Sequence, residues 1–264
     1  MSDDRLAYGV FLGSLSRSVE AGGFQVDLRI ATLPPEAVEE HSHDEGHFIF
    51  TLADGYRSLA APDALRRGAL IYNPPGVEHR DCFDLAGGGF LAISTPALPP
   101  SITDAPSLLR SVQAGGLARR LVGTCIRAAS GAALAAESLA LELAACVTVE
   151  EDRSAAIPDW LLRADEAIAD LCCRPGLEVR AIAAEAGVHP VHLARRYRRH
   201  FDQSPGAAIR QRRADAAAAL LAAGADPADA AQAAGYADQS HLTRAFVSAF
   251  AVTPARYREA FGRA

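Results

Sequence analysis

Residues 187–205 read GVHPVHLARRYRRHFDQSP and residues 235–254 read GYADQSHLTRAFVSAFAVTP, and the second is a variant of the first. Leu193, Arg195, Tyr197, Phe201 and Pro205 recur 49 positions later as Leu242, Arg244, Phe246, Phe250 and Pro254, while Gly187 recurs 48 later as Gly235. The second turn is therefore one residue longer. In each copy an alanine-rich stretch (VRAIAAEAG, DAAQAAG) ends at a glycine, where positive φ is easy, and a second helix is expected to start three or four residues on. Pro190 suits the first turn of one such helix, and Asp238 is a good N-cap for the other. Helix, glycine turn, helix is the pattern of a helix-turn-helix unit.

Helical spacing assigns the faces. Leu193, Tyr197 and Phe201 stand at i, i+4 and i+8, as do Leu242, Phe246 and Phe250, so both sets must face a core. The opposite stripe of the first helix is Val191, Ala194, Arg195 and Arg198, with Arg199 beside it. In the second helix it is Gln239, Ser240, His241, Thr243 and Arg244. Arg pairs well with guanine and Gln with adenine, and the remaining arginines suit phosphates. One exposed arginine reads as a solvated helix face. Two copies in register read as a surface that meets nucleic acid.

The chain is long enough, at 264 residues, for one large domain or two medium ones. Half of it is apolar and 22% charged, which fits a globular protein. The N-terminus begins with acids, and no apolar run approaches the ~18 residues of a membrane span, so no membrane partner is expected. Five cysteines without a CxxC pair suggest neither a disulfide framework nor a thiolate zinc site, and fit a cytoplasmic protein. All 26 cations are arginine. Up to residue 156, 12 Arg face 20 acids, a balance of -8; from 157 onward, 14 Arg face 12 acids, a balance of +2. The more basic half is the one with the repeat.

The first hundred residues read as short strands (FQVDLRIATL, HFIFTL, ALIYNP, GFLAIST) parted by LPPE, ADG, NPPG and AGGG. That interval suggests a β-sandwich or barrel. A proline-rich seam follows at TPALPPSITDAP, then helices over 108–150 with Leu117, Leu121, Leu134, Leu139, Leu141 and Leu143 among alanines. A second seam lies at EEDRSAAIP. The expected division is 1–100 as a β domain, 106–153 as a helical segment that pairs two chains, and 158–264 as an all-α domain.

HSHDEGH, residues 41–47, holds three of the four histidines of the β domain; the fourth is His79. His41, His43, His47 and Glu45 share parity, so on a strand they face one side. Four imidazoles suit Zn, Ni, Fe or Cu. They suit equally a polar lining around an organic ligand. Cys82 is a further donor in principle, and an inert buried thiol otherwise.

Two resemblances complete the reading. GVHPVHLARRYRRHFDQSP, the linking AAIRQRRADAAAALLAAG and AGYADQSHLTRAFVSAFAVTPARYREAF closely resemble the DNA-binding domain of AraC/XylS-type transcription regulators, over about residues 158 to 264. That resemblance implies two recognition helices, joined by a linking helix, in successive major grooves about 34 Å apart. His189 stands where the family usually has a capping serine, which leaves that helix end less well capped. HSHDEGHFIFTLADG and GALIYNPPGVEH, with Gly68, Pro74, Pro75, Gly76 and His79, resemble the two motifs of cupin barrels over about residues 36–95. His47 replaces the usual glutamate. The implied set of metal ligands is His41, His43, His47 and His79, which would close a tetrahedral ion but leave an octahedral one open.

The fold class expected is α+β: an N-terminal cupin-like β-barrel, a helical middle segment, and a C-terminal all-α domain with two helix-turn-helix units. The expected function is a homodimeric, sequence-specific regulator that binds a double-stranded DNA operator and answers a small molecule or metal, not an enzyme. The alternative is a metal-dependent cupin enzyme, an oxygenase or isomerase, with a DNA-binding tail. An enzyme needs an open metal position with an acid or base beside it, and outside Glu45 the motifs offer none.

Overall fold

A computed structural model describes residues 5–96, 104–127, 131–147 and 157–262. The expected boundaries at 100 and 153, and most of both seams, lie outside the described residues. The strands are β1 (Arg5–Leu6), β2 (Ser14–Ala21), β3 (Phe24–Ile30), β4 (Ser42–His43), β5 (His47–Thr51), β6 (Tyr56–Arg57), β7 (Leu70–Asn73), β8 (Cys82–Phe83), β9 (Gly89–Ser94) and β10 (Ser107–Leu109). The helices are α1 (Val112–Arg127), α2 (Ala132–Val147), α3 (Asp159–Leu171), α4 (Val179–Glu185), α5 (Pro190–Phe201), α6 (Pro205–Ala222), α7 (Pro227–Ala233), α8 (Gln239–Phe250) and α9 (Pro254–Phe261).

Six strands form one antiparallel sheet in the order β10-β7-β5-β9-β3-β2. Its inner strands are buried on both faces, which is why HFIFT and GFLAIS read as apolar runs without polar alternation. Val26, Leu28, Phe48, Phe50, Leu70, Tyr72, Leu91 and Ile93 face α1 and α2. Ile49, Ile71, Phe90 and Ala92, of opposite parity, face Phe11, Tyr56 and Phe83. The barrel expected from the motifs is not closed among the described residues. β4, β6 and β8 are two residues long and pair as β1·β4 and β6·β8, so they cover one face instead of joining the two ends of the sheet. Residues 107–109, expected at the head of a helical segment, form a strand because Ser107, Leu108 and Leu109 pair with Tyr72, Ile71 and Leu70.

The middle helices pack against their own chain. α1 lies between the sheet and the last helices: Leu117, Leu121, Val122 and Cys125 share one continuous core with the sheet, α6, α8 and α9. Gly123, a poor helix former, permits that approach. At Gly123 a Cβ would overlap the carbonyl oxygen of Phe250. α2 buries Ala136, Leu139, Ala140 and Leu143 and leaves Leu134 and Leu141 exposed. α3, α4, α5 and the start of α6 hold a separate core around Leu161, Ile182, Leu193 and Tyr197. The C-terminal region is thus not set apart by packing, since its second half is built into the core of the first half of the chain.

A charge pair sits in that shared core. Arg119 of α1 donates from Nε and Nη2 to the two carboxylate oxygens of Asp215 on α6, each at 2.7 Å, and the side chains are only 4% and 7% exposed. The guanidinium also lies over the Phe50 ring, 5.2 Å from its centroid. The turn before β7 fits against the pair: Gly68 has φ 81°, and a Cβ there would come within 2.7 Å of Asp215 Oδ2. Asp215→Ala strands a buried cation, so it is expected to cost about 3–5 kcal/mol. Thermal unfolding of the variant checks this; replacing both partners with apolar residues is expected to recover most of the loss.

Candidate DNA-binding face and histidine pocket

The repeat is carried into the backbone. Asp202 and Ala251, 49 residues apart, end α5 and α8 in the left-handed region at φ 53° and 54°. Two residues further, Ser204 and Thr253 cap α6 and α9, each followed by proline at the first helical position. Gly187 and Gly235 make the turns at φ 67° and 78°. Asp238 caps α8, its carboxylate accepting from His241 N–H at 2.6 Å. The weaker cap expected at α5 is supplied by the imidazole itself, as His189 Nδ1 accepts from Val191 N–H at 3.3 Å.

Leu193, Tyr197, Leu242, Phe246 and Phe250 are buried as the spacing requires, and Phe201 packs partly buried at the edge of its core. On the outer faces Val191, Arg195, Arg198 and Arg199 of α5 are exposed and Ala194 is half-buried. On α8 Gln239, Ser240, His241 and Arg244 are exposed. Thr243 is half-buried and its hydroxyl donates to Gln239 O at 2.8 Å, so it is less available than the sequence implies. The edge of the His241 ring meets Tyr236, which fixes its orientation.

Residues 182–260 match a family model described as a helix-turn-helix domain. The stretch begins in α4, ends in α9 and contains both recognition helices, and it is a helix-turn-helix domain of the AraC type. Among solved structures the chain is similar to the C-terminal domain of AraT, a response regulator from Geobacillus stearothermophilus, with 25% identity, 40% of this chain and 88% of that one covered, and a TM-score of 0.38. It is similar to a DNA-binding transcriptional dual regulator from Escherichia coli K-12, at 23% identity, 42% and 100% coverage and a TM-score of 0.37. A third likeness is the DNA-binding domain of AdpA in complex with a target DNA, at 22% identity, 39% and 94% coverage and a TM-score of 0.37. No curated protein matches the chain. No described helix is long and apolar enough to cross a membrane.

The four N-terminal histidines come together on the face of the sheet turned away from α1, in a cavity of about 60 Å³ lined also by Phe11, Ile49, Tyr56, Asp81 and Phe90. His41 and His79 pair through their backbones, N–H to O at 3.0 and 2.9 Å. Nδ1 of His41 meets Glu39 O and Nδ1 of His79 meets Val77 O, each at 2.9 Å. When each Nδ1 carries the proton, Nε2 keeps its lone pair, as in metal-binding histidines. Ring atoms of His41, His43 and His79 lie within 4.8 Å of one another. His47 does not join them as expected. Its Nε2 lies 3.1 Å from the Asn73 amide nitrogen, which donates to it and to Asp81 Oδ2. Glu45 is also elsewhere: the turn after β4 breaks the alternation, and its Oε1 accepts from Gly9 N–H and Ser94 Oγ.

The residue that the sequence reading missed is Asp81. Tyr56 donates to its Oδ2, as Asn73 does, which leaves Oδ1 buried without a partner at the pocket wall. Its parity with His79 was the available signal. Burial, with the His79 and His41 rings beside it, lowers the pKa of His43 to about 3, and burial holds His47 well below the usual range. Both rings are therefore neutral in the folded chain, while the unfolded chain protonates near pH ~6.5. Below that pH the unfolded state binds more protons, so stability is lost as pH falls from about 6.5 towards 3, by up to about 1.4 kcal/mol per unit and per ring. Urea unfolding of metal-free protein at about pH 7, 6 and 5 is expected to show this slope, reduced by one ring's share in His47→Gln.

Proposed function

We propose that the chain is a cytoplasmic transcription regulator whose N-terminal sheet holds an effector and whose two helix-turn-helix units read an operator. The observation that carries the reading is that a DNA-binding domain shares a core with one face of a sheet whose other face carries a largely apolar, histidine-lined pocket. Arg195 and Arg244 stand at equivalent, exposed positions of the two recognition helices and are assigned to base edges; Arg198 and Arg199 are assigned to phosphates. Val191 and Ala194 offer apolar contact only, such as to thymine methyl groups. Selection of genomic fragments by the purified protein supplies the operator. On it, Arg195→Ala and Arg244→Ala are each expected to cost about 1–3 kcal/mol and relax specificity at one position. Arg198→Ala and Arg199→Ala are expected to weaken all sequences alike and reduce the salt slope. Unchanged affinity and specificity in the first pair would overturn the assignment of faces.

In the same reading His41, His43 and His79 hold a divalent transition metal, Zn, Ni, Fe or Cu. The residues fit such an ion: the donor atoms are close, burial keeps the His43 ring neutral, and His43 Nδ1 is buried with no hydrogen-bond partner. Three imidazoles leave a tetrahedral ion one open position, in contrast to the closed set of four expected from the sequence. Such an ion would offer that position to an effector with a lone pair, and Asp81 Oδ1 would accept a hydrogen bond from the same molecule. His47 acts as a positioning residue through Asn73. Elemental analysis of untagged protein is expected to give metal that His43→Ala with His79→Ala loses and His47→Glu keeps; metal-free protein with an unchanged DNA response would reduce the histidines to polar lining.

Dimerisation belongs to the proposal in a narrower form than the sequence suggested. α1 is covered by its own chain, so the exposed Leu134 and Leu141 of α2 are assigned to contact with a second copy. Sedimentation of the full chain at tens of micromolar is expected to show a dimer, and Leu134→Glu with Leu141→Glu a monomer.

A further inference from the structure

Cys172 and Cys173 end α3 at the seam between the sheet domain and the helices, and no part of the DNA or effector reading uses them. Their sulfurs are 3.7 Å apart and hydrogen-bonded. Both border an open cleft of about 500 Å³, whose walls carry Arg66 and Arg67 from the sheet domain and Arg212 from α6. Arg213, next on α6, donates to the carbonyls of Cys172 at 2.6 Å and Arg174 at 2.9 Å, and has no carboxylate partner among the described residues. Cys172 is buried and Cys173 half-buried.

The environment separates the two thiols. Cys173 is pushed down to about 6, first by the hydrogen bond from Cys172 and then, against some desolvation, by Arg67 and Arg213. Cys172 is raised by the same hydrogen bond and by burial. Burial also raises Cys82, and raises Cys125 to about 12. The other charged or titratable groups around the cleft are Asp54, Asp170 and Asp215, with Tyr236 behind the thiols. Asp54 is paired with Arg67, Asp170 with Arg66, Asp165 with Arg212 and Asp215 with Arg119, so acids and arginines offset one another and Arg213 is the cation that remains beside the thiols.

We propose that Cys173 is a thiol-modification site for low-molecular-mass disulfides that carry carboxylates, Arg213, the neighbouring cation with no carboxylate partner among the described residues, attracting the anionic reagent. The Cys173 thiolate attacks one sulfur of the reagent. A bond forms between the two sulfurs, the reagent's own S–S bond breaks, and the departing thiolate takes a proton from water. Cys173 is oxidised and one reagent sulfur reduced. The product stays a mixed disulfide because closure onto Cys172 is unfavourable: adjacent Cα atoms are ~3.8 Å apart, shorter than the usual disulfide range of about 4.4–6.8 Å. The Cys172 S–H keeps Cys173 ionised and does not resolve the adduct. The backbone of the pair braces the two helix-turn-helix units, through Arg213 on one side and through Gly235, where a Cβ would come within 2.9 Å of the Cys173 carbonyl carbon. An adduct at Cys173 therefore bears on the joint between them.

The test uses the full-length protein and glutathione disulfide, with adducts mapped by mass spectrometry. One adduct per chain, on Cys173, is expected. At pH ~6 about half of Cys173 is thiolate against about 0.3% of an ordinary cysteine, so after its lower intrinsic nucleophilicity it reacts about tenfold faster than a thiol of ordinary pKa. Cystamine, a cationic disulfide, is expected to react more slowly at this site. Cys172→Ala is expected to move the pH midpoint of Cys173 modification upward, and Cys173→Ser, checked for native circular dichroism, to abolish the adduct. Adducts spread over Cys82 and Cys146, a midpoint unmoved by Cys172→Ala, or cystamine reacting as fast as glutathione disulfide would each overturn the proposal. The test involves no DNA, so it stands or fails separately from the operator reading.

Discussion

The pair of charges buried between Arg119 and Asp215 is the constraint on which the arrangement of the two halves depends. Apolar burial alone would hold α1 against α6 and α8 without fixing where it sits, because alanine and leucine surfaces are tolerant of sliding. A desolvated guanidinium is not tolerant, as it must meet its carboxylate in one geometry. The neighbours conform to that geometry. Phe50 offers its ring face, Gly68 gives up a side chain, and Gly123 lets the α1 backbone reach the end of α8. Each belongs to a different element, so one ion pair sets the positions of the sheet, the middle helix and the linking helix together.

The same pair stands at one end of a short path from the histidine pocket. β7 carries Asn73, whose amide holds His47 and Asp81, and five residues earlier the chain passes Gly68 against Asp215. At about 3.4 Å per residue that is roughly 17 Å of extended backbone. The strand is braced by β5 and β10 on either side. A ligand that drew on Asp81 would compete with the hydrogen bond donated by Asn73 of β7, the strand whose other end leads to the turn packed on Asp215 of α6.

How much was legible in the sequence follows from how far each signal reaches. The helix-turn-helix units were legible down to single residues, because caps, glycine turns and core spacing are local and are written twice. The strands were legible too, and so was the gathering of His41, His43, His47 and His79 on one side. The separation of His47 from the other three was not, since it is decided by Asn73 on a neighbouring strand. Asp81 was hidden for the same reason: its importance comes from Tyr56 and Asn73, distant in sequence. Closure of the barrel is not seen among the described residues, and the helical reading of residues 108 and 109 failed where their pairing with β7 outweighed local pattern. Buried Arg119 gave no signal at all, since its partner is 96 residues away.

The linking helix α6 gathers these constraints at one point. Its first turns belong to the core of α3, α4 and α5, through Ala208 and Ile209, and its later turns to the core shared with the sheet, through Ala214, Ala217 and Leu221. Between them, three polar residues tie it to four others: Arg212 to Asp165, Arg213 to the carbonyls of Cys172 and Arg174, and Asp215 to Arg119. Eighteen residues of helix make a rod of about 27 Å. The spacing of two recognition helices is a property that an operator measures, because half-sites fall one helical turn apart. The first unit touches the sheet domain through the exposed pair Arg66–Asp170, whose side chains are 59% and 60% exposed and contribute little. The second is fused to the sheet domain by a full core. A displacement in the sheet domain would therefore reach the second unit through a full core and the first chiefly along α6, and would alter how the two units are set relative to each other.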